Sequence, residues 1–410
     1  MLAEADAELA SRYPGERPGR QPVHTCYLPA DAFEPDLAAQ WGRRAIAELE
    51  RSAPDASSFA DAMGVPRELA AQVRGRVLAK LAAEPVEDLR LDFEDGYGER
   101  GDAAEDCDAD QAAACLAAAV SAGTAPPFTG LRCKSLDQAS RRRGVRTVDI
   151  FLSVLARAGG VTDGFVLTLP KVTSASQVSA MCVLCERLEH AYGLSPGRLV
   201  FEIQVETPQI VLGADGAATV ARCIQAGGDR LSGLHYGTYD YSASVGIAGR
   251  YQSMSHPAAD HARAVMQVAA AGTGIRLSDG SSNVLPEGSV QQVSAAWGLH
   301  AGLVRRSLER GFYQGWDLHP AQLVSRYAAT YAFFLEGLDE ACARLRGYRV
   351  RASGTGVLDE PATARALAGY LIRGLDCGAL NEQDVASRSG LDRGALDALC
   401  RATWPGGMVR

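Results

Sequence analysis

The stretch LRLDFEDGYG, residues 89–98, joins the pattern of a β-strand to a cluster of acids. From Leu89 to Phe93, apolar and charged residues alternate, which is the two-residue period of a half-buried strand. The strand then ends on Glu94 and Asp95. Two carboxylates this close repel each other, and beside an apolar core they are costly without a partner. The sequence therefore predicts a positive charge at this strand end.

The size and composition of the chain are those of a globular protein. Its 410 residues are 47% hydrophobic and 22% charged, and they suffice for one large α/β barrel with extensions or for two or three smaller domains. The net charge of −8 and the lack of a long basic stripe argue against a nucleic-acid partner. No apolar run approaches the roughly 20 residues of a membrane span, and the polar start of the chain does not resemble a secretory signal.

The cysteines favour a reducing compartment. Ten cysteines are scattered along the chain, and only Cys182 and Cys185 form a CxxC pair. This pair lies in a helical pattern without a second pair, so packing as small hydrophobic side chains is the favoured interpretation. We therefore expect a cytoplasmic protein.

Short apolar runs alternate with longer helical patterns along the chain. The predicted strands are residues 24–28, 89–93, 130–134, 165–169, 200–205, 231–236, 275–279 and 313–318. The predicted helices after the second and later strands are residues 103–122, 145–158, 174–191, 207–226, 258–271, 290–310 and 320–347. A strand–helix unit repeated eight times predicts an α/β protein with a (β/α)₈ TIM barrel. A doubly wound sheet is the alternative, disfavoured because no GxGxxG motif follows the first strand.

Two further segments flank the repeated units. The long gap after the first strand predicts a helical insertion at about residues 30–85, with helices at 36–51, about 59–64 and 66–83. After about residue 350, RASGTGVLDEP (351–361) has the Gly and Pro punctuation of a linker, and two or three short helices follow it. We therefore expect a catalytic barrel over residues 1–350 and a small helical extension over 351–410, serving as a lid or an oligomer contact.

Nearly every predicted strand ends on an ionisable residue. In strand order these are Glu94 and Asp95, Arg132, Lys171, Glu206, Asp240, Asp279, and Asp317 with His319. A single acid at such a position is more often a helix cap or a turn residue. In a TIM barrel, however, all of them would meet at one rim, where active sites lie. The acids outnumber the bases, and oxygen donors favour Mg²⁺ or Mn²⁺, with Glu94 and Asp95 facing the hydrated metal.

At these positions the sequence resembles the HpcH/HpaI aldolase and citrate lyase β-subunit family, which includes malyl-CoA lyases and is related to malate synthases. The matching segments are DFEDG (92–96), GLRCKS (130–135), LPKV (169–172), VETP (205–208), GTYDYSAS (237–244) and LHPAQ (318–322). Each segment is short, but their ordered succession, about one per strand over residues 85–325, is fairly specific. The resemblance implies a Mg²⁺-dependent TIM barrel that makes or breaks carbon–carbon bonds next to a carbonyl.

The resemblance also implies roles for individual residues. Glu206 and Asp240 match the two metal ligands, and Glu94 and Asp95 match an acidic pair that orients metal-bound water. Arg132 matches an arginine that stabilises an enolate oxygen. Two further catalytic candidates are a barrel lysine, Lys171, and the residue that precedes Pro320 in the closing segment, His319. Relatives form trimers or hexamers, so the resemblance implies a homo-oligomer.

The identity of the substrate stays open at this point. A 2-oxo acid such as pyruvate is the favoured donor, and a CoA thioester is the alternative. The run RRRG (141–144) could contact CoA phosphates, although a solvated helix start is the favoured interpretation. Cys133 and Lys134 follow Arg132 where CoA-dependent relatives usually carry a small hydrophobic residue and Asn.

The chemistry of the rim also stays open at this point. A non-catalytic ligand-binding barrel is disfavoured by the presence of all the motif residues. A Schiff base at Lys171 is disfavoured because such a site needs no cluster of carboxylates. Candidates for the base that moves a proton are metal-bound hydroxide, His319, His235, Asp279 and an acid of the extension.

Overall fold

The computed structural model describes residues 2–351 and 361–401 of the chain. All eight predicted strands are present, each within two residues of its predicted bounds. They are β1 (His24–Pro29), β2 (Asp88–Asp92), β3 (Phe128–Arg132), β4 (Phe165–Leu169), β5 (Val200–Val205), β6 (Leu231–Tyr236), β7 (Arg276–Ser278) and β8 (Gly315–Asp317).

The strands form a parallel barrel. Their order is β7-β6-β5-β4-β3-β2-β1-β8, and the register of each pair is parallel. A parallel bridge between Ser278 and Gln314 joins β7 to β8, and the Asp279 N–H donates to the Gln314 carbonyl at 2.8 Å. The predicted TIM barrel is thereby confirmed, and the carboxyl ends of all the strands lie at one rim.

The α-helices of residues 2–351 and 361–401 pack around this barrel or at its amino end. They are α1 (Leu2–Arg12), α2 (Leu37–Ser52), α3 (Ala56–Met63), α4 (Arg67–Ala83), α5 (Asp102–Ala122), α6 (Arg141–Arg157), α7 (Ala175–Tyr192), α8 (Pro208–Val211), α9 (Thr219–Gly227), α10 (Thr238–Ser244), α11 (Pro257–Ala270), α12 (Val290–Glu309), α13 (Pro320–Glu336), α14 (Leu338–Arg351), α15 (Pro361–Asp376), α16 (Glu382–Ser389) and α17 (Arg393–Arg401). None of the described helices is long and apolar enough to cross a membrane.

The helices α2, α3 and α4 form the predicted insertion between β1 and β2. Local sequence determines the ends of α3: Asp55 and Ser58 form a capping box, and Gly64 ends the helix in the left-handed conformation at φ 66°. Two helices predicted as continuous are each divided in the structure. The segment 207–226 forms α8 and α9, and the segment 320–347 forms α13 and the greater part of α14. The first break follows from the turn-forming run at 213–216, where Gly216 has φ 78°.

Charged and polar side chains fill the interior of the barrel. Arg90 on β2 donates to Asp88 at 2.8 Å and reaches across the barrel to Glu202 on β5 at 3.1 Å. His235 on β6 contacts the same Glu202 at 2.9 Å, and Thr168 on β4 donates to it at 2.6 Å. All these side chains are buried. The alternation in the second strand therefore places its charged residues inside the barrel and its apolar residues against the helices.

The C-terminal helices pack at the amino end of the barrel. The Tyr331 hydroxyl on α13 donates to the Cys377 carbonyl at 3.0 Å, and Arg76 on α4 donates to the Ala379 carbonyl at 2.8 Å. Cys377 also lines a small cavity with Gln21 and Val23, which precede β1. The described part of the extension thus lies opposite the rim, and its role as a lid or an oligomer contact stays a prediction. The predicted linker lies outside the described residues except at its two ends.

Candidate active site

Arg132, the last residue of β3, forms the centre of the rim. Its Nε and Nη2 atoms donate to the two carboxylate oxygens of Asp92, each at 2.6 Å. Its Nη1 atom lies 3.3 Å from Glu94 Oε2 and 3.4 Å from Gln204 Oε1. The guanidinium also lies over the Tyr27 ring, 4.9 Å from the centroid. A bidentate pair with a buried carboxylate fixes the orientation of Arg132 and leaves Nη1 directed into the rim.

Lys171 follows β4 and contacts the acidic pair. Its Nζ atom donates to Glu94 and to both carboxylate oxygens of Asp95, at 2.8 and 3.0 Å. The same atom lies 3.7 Å from Asp240 Oδ1. Glu94 and Asp95, the acids at the end of the second strand, therefore do have positive partners, which are the side chains of Arg132 and Lys171.

Glu206 follows β5 and is buried, at 2% exposure. Its Oε1 atom accepts a hydrogen bond from the backbone N–H of Lys171 at 2.6 Å. A Cβ atom on Gly237, which follows β6, would lie 2.5 Å from Glu206 Oε2. The close approach of the two loops therefore requires glycine at position 237.

The electrostatics of the rim are those of a site with too much negative charge. Burial raises the pKa of Glu206 to about 8, and the neighbouring charges of Asp240 and Glu94 add to this against the opposing Lys171 and Arg132. Burial likewise raises the pKa of Glu94 and of Asp240. Burial alone would lower the pKa of Lys171, but the charges of Glu94 and Glu206 and its hydrogen bonds raise it above its ordinary value. Because an added positive charge would stabilise the ionised forms of these acids, the rim is suited to bind a further cation.

Six of the seven predicted site residues meet at this rim, namely Arg132, Glu94, Asp95, Lys171, Glu206 and Asp240. The seventh, His319, has different surroundings. Its Nδ1 atom accepts from the Ala321 N–H at the start of α13, and its Nε2 atom lies 3.2 Å from Glu287. It lines a separate cavity of about 260 Å³ with α2 residues, including Arg44 and Arg51. The described contacts of His319 are those of a helix cap.

Two other side chains proposed as the base, His235 and Asp279, are engaged by neighbouring side chains. His235 contacts Glu202 inside the barrel, as described above. Asp279 is buried, forms an ion pair with Arg263 and accepts from the Ser307 hydroxyl at 2.5 Å. These partners favour a structural role for both residues.

In the arginine run that could contact CoA phosphates, Arg143 is paired with acids of α5, as is the nearby Arg146. Arg143 lies 2.6 Å from Asp106 and 3.4 Å from Glu105, and Arg146 donates to Asp106 at 3.0 Å. Arg141 donates to the Asp137 carbonyl at 3.0 Å. These contacts fasten α6 to α5 and to its own preceding turn.

Sequence reasoning missed Asp92 as a site residue. Besides Arg132, its carboxylate accepts from the N–H groups of Glu94 at 3.0 Å and Gly96 at 2.8 Å, so it shapes the turn that carries the acids. A Cβ atom on Gly96 would lie 2.6 Å from Asp92 Oδ2, which explains the glycine. The available signal was the two-residue period of β2, which places Asp92 inside the barrel next to the rim.

The residues that could hold a metal ion are Glu206 and Asp240. Among the residues that the structure describes, no group of three or more His, Cys, Asp or Glu side chains is arranged to hold a metal. Mg²⁺ usually takes only one or two protein carboxylates and keeps several waters, so a pair of acids fits its needs. The excess of buried negative charge at the rim also suits a divalent cation.

Comparison with known proteins places this chain in a family. The sequence matches, over residues 2–403, a family described as a domain of unknown function, DUF6986, and the chain belongs to it. No curated protein matches the sequence.

Solved structures share the fold. A citrate lyase from Burkholderia xenovorans LB400 matches with a TM-score of 0.58 and 20% identity, covering 90% of this chain and 97% of its own. A malate synthase from Haloferax volcanii matches with a TM-score of 0.51 and 15% identity, covering 94% of this chain and 99% of its own. At such identities the likeness establishes the fold, and in this respect the resemblance stated from the sequence is confirmed.

Proposed function

We propose that the protein is a Mg²⁺-dependent carbon–carbon lyase or aldolase that forms an enolate from a 2-oxo acid donor such as pyruvate, with Mn²⁺ as an alternative ion. The observation that carries this proposal is the convergence of four carboxylates and two cationic side chains at one rim of the barrel. These residues are Glu94, Asp95, Glu206, Asp240, Arg132 and Lys171.

The donor set fits a hard divalent cation. Carboxylate oxygens are the preferred ligands of Mg²⁺, and Asp240 is close enough to Glu206 for its charge to raise the pKa of Glu206. A bound Mg²⁺ would supply Lewis-acid stabilisation of negative charge on a substrate oxygen.

Arg132 would provide the second stabilising charge. Asp92 engages its Nε and Nη2 atoms and fixes the guanidinium, so Nη1, which lies 3.3 Å from Glu94 and 3.4 Å from Gln204, would donate to an oxygen of the donor in their place without a change in orientation. A fixed donor of this kind is already oriented when charge develops, and its removal typically costs about 10²–10³ in rate. Glu94 and Asp95, held by Lys171, would orient the water around the metal.

The contacts weaken both the CoA thioester hypothesis and the Schiff-base hypothesis. In the arginine run at 141–143, Arg143 is paired with protein acids and Arg141 donates to a backbone carbonyl, so the support for a CoA thioester substrate is reduced. Lys171 has a pKa above its ordinary value and remains an ammonium, which is not a nucleophile, so a Schiff base is disfavoured.

Proton exchange in D₂O tests the proposal. The protein is incubated with pyruvate or, separately, with acetyl-CoA, and proton NMR follows the loss of the methyl signal with Mg²⁺ and with EDTA. We expect exchange in pyruvate that requires the metal and is abolished in Glu206→Gln. The matched control is Glu186→Gln, which changes an exposed glutamate on α7 and should leave exchange unaffected.

Two different results would change the proposal. Exchange in acetyl-CoA alone would replace the 2-oxo acid by a CoA thioester. Absence of exchange together with absence of Mg²⁺ and Mn²⁺ binding in calorimetry would favour the non-catalytic barrel.

A further inference from the structure

Lys171 has an unusual backbone conformation. Among the described residues it is the only non-glycine residue with a positive φ, at 51°. This conformation is uncommon for a residue with a Cβ and is retained only where its surroundings hold it in place. Strain of this kind at a rim of functional residues calls for a physical reason, which its contacts provide.

The conformation lets one residue contact the acids from two directions. The backbone N–H of Lys171 donates to Glu206, while its ammonium lies against Glu94 and Asp95 and approaches Asp240. Lys171 therefore contacts four acids of the rim. Its backbone N–H is hydrogen-bonded, whereas its side chain is 31% exposed to solvent.

The charges at the rim explain what the ammonium does. The carboxylates are Asp92, Glu94, Asp95, Glu206 and Asp240, while the cations are Arg132 and Lys171. Asp92 already engages Arg132 in a bidentate pair, so Lys171 carries the main positive charge that the other four acids share. A divalent cation entering between Glu206 and Asp240 would meet this ammonium as a like charge a few ångströms away.

We infer that Lys171 is a positioning residue whose ammonium serves as a tethered counter-cation, holding the acids together without metal and competing with a divalent cation for them. This inference rests on the proposed function and concerns the metal affinity of the same site. Removal of the ammonium alone should tighten metal binding, since the metal then meets uncompensated acids.

Calorimetric titration with Mg²⁺ and with Mn²⁺ tests this competition. The metal-stripped proteins are the wild type and the variants Lys171→Met, Lys171→Arg and Lys80→Met. We expect a dissociation constant about tenfold lower for Lys171→Met, because a nearby like charge is gone. Lys171→Arg keeps the charge and should bind as the wild type does. Lys80 contacts Glu84 and Glu87 at the amino end, so its variant is the matched control and should not change binding.

Thermal melting provides a second readout. Metal-free Lys171→Met should melt below the metal-free wild type, and Mg²⁺ should raise its melting temperature by more than it raises that of the wild type. If Lys171 had a purely structural role, Lys171→Met would melt below the wild type both with and without Mg²⁺, and its affinity for the metal would be unchanged or weaker. If Lys171→Met does not fold, Lys171→Gln removes the same charge and is measured in its place.

The outcomes separate this inference from the proposed function. Equal or weaker metal binding by the neutral variants, with a wild type that binds metal and exchanges pyruvate protons, would overturn the inference alone. A wild type that binds neither ion would overturn both.

Discussion

Gly237 illustrates how a single residue can hold the site together. Its backbone is extended, at φ −96°, a conformation open to any residue, so its only special property is the missing Cβ next to Glu206. We predict that Gly237→Ala displaces the Glu206 carboxylate, lowers stability by about 1–3 kcal/mol and weakens metal binding. Urea unfolding and calorimetry measure the two effects.

A double-mutant cycle provides the control for this prediction. In a Glu206→Gly background, both the carboxylate and the Glu206 Cβ atom, which would lie 2.4 Å from the added methyl group, are gone, so Gly237→Ala should cost little there. An equal cost in both backgrounds would contradict the proposed clash.

Arg132 supports a second prediction, on activity. Lys at position 132 keeps the positive charge but cannot form the bidentate pair with Asp92 that orients the guanidinium. We expect Arg132→Lys to lower the rate of pyruvate proton exchange by about 100-fold or more while the circular dichroism spectrum stays unchanged. A rate within a few-fold of the wild type would show that geometry at Arg132 is unimportant.

At the level of single residues, the sequence predicted which acids lie at the rim, because each of them follows a predicted strand. The sequence could not distinguish these acids from His319, which also follows a strand but accepts a hydrogen bond at the start of α13 and does not contact the rim acids in the described structure. Position along a strand predicts the rim that a side chain occupies, whereas its partners depend on loops that are distant in sequence. Lys171 is an example, since its neighbours follow β2, β5 and β6.

Among the secondary-structure elements, α11 and α12 are joined by one carboxylate. Asp260 on α11 lies 2.5 Å from Arg263, 2.7 Å from Arg306 and 2.6 Å from Arg310. The hydrogen bond from Arg306, helped by that from Arg263, lowers the pKa of Asp260 from 3.8 to about 2, against the effect of burial. A depressed pKa means that the ionised form stabilises the fold above pH 3.8 and that this stabilisation is lost as the pH falls towards 2.

Asp260→Asn should therefore lower the free energy of unfolding at pH 7 by about 1 kcal/mol, after allowance for solvent screening. The difference from the wild type should shrink between pH 4 and pH 2. Denaturant titrations across this range measure it. A difference that does not change with pH would exclude the ion pairs as its cause.

The helices show where sequence patterns reach their limit. The strands and most helices were predictable because the spacing of their apolar residues is a local property of the sequence. The break between α13 and α14 was not predicted. It falls at Gly337, the C-cap of α13, next to Tyr370, whose hydroxyl donates to the Phe333 carbonyl at 2.6 Å and the Phe334 carbonyl at 3.0 Å. An unbroken helix would offer these two carbonyls to residues 337 and 338. A partner more than 30 residues away in the sequence leaves no local pattern.

In the molecule as a whole, the charged barrel interior makes Arg90 a key residue. It is buried and is shared by Asp88 and Glu202. We predict that Arg90→Met destabilises the protein by about 3–5 kcal/mol in urea unfolding, because it leaves buried carboxylates without their cation. The triple variant Asp88→Asn, Arg90→Met, Glu202→Gln should be more stable than this single variant. The opposite order would argue against charge as the cause.

The oligomeric state is a further prediction for the whole molecule. The family resemblance implies a trimer or a hexamer, which size-exclusion chromatography with light scattering can measure at micromolar concentration. A monomer under these conditions would contradict it.

The filled barrel interior also determines how molecules reach the rim. Because Arg90, Asp88 and Glu202 fill the barrel below Arg132, a substrate and its products would enter and leave from the rim side. Under the proposed function, the fragment held by the acids is the deeper of the two cleavage products. The outer fragment must then leave first and the 2-oxo acid last. Ordered release predicts that the 2-oxo acid inhibits competitively against the cleavage substrate, whereas the outer fragment does not.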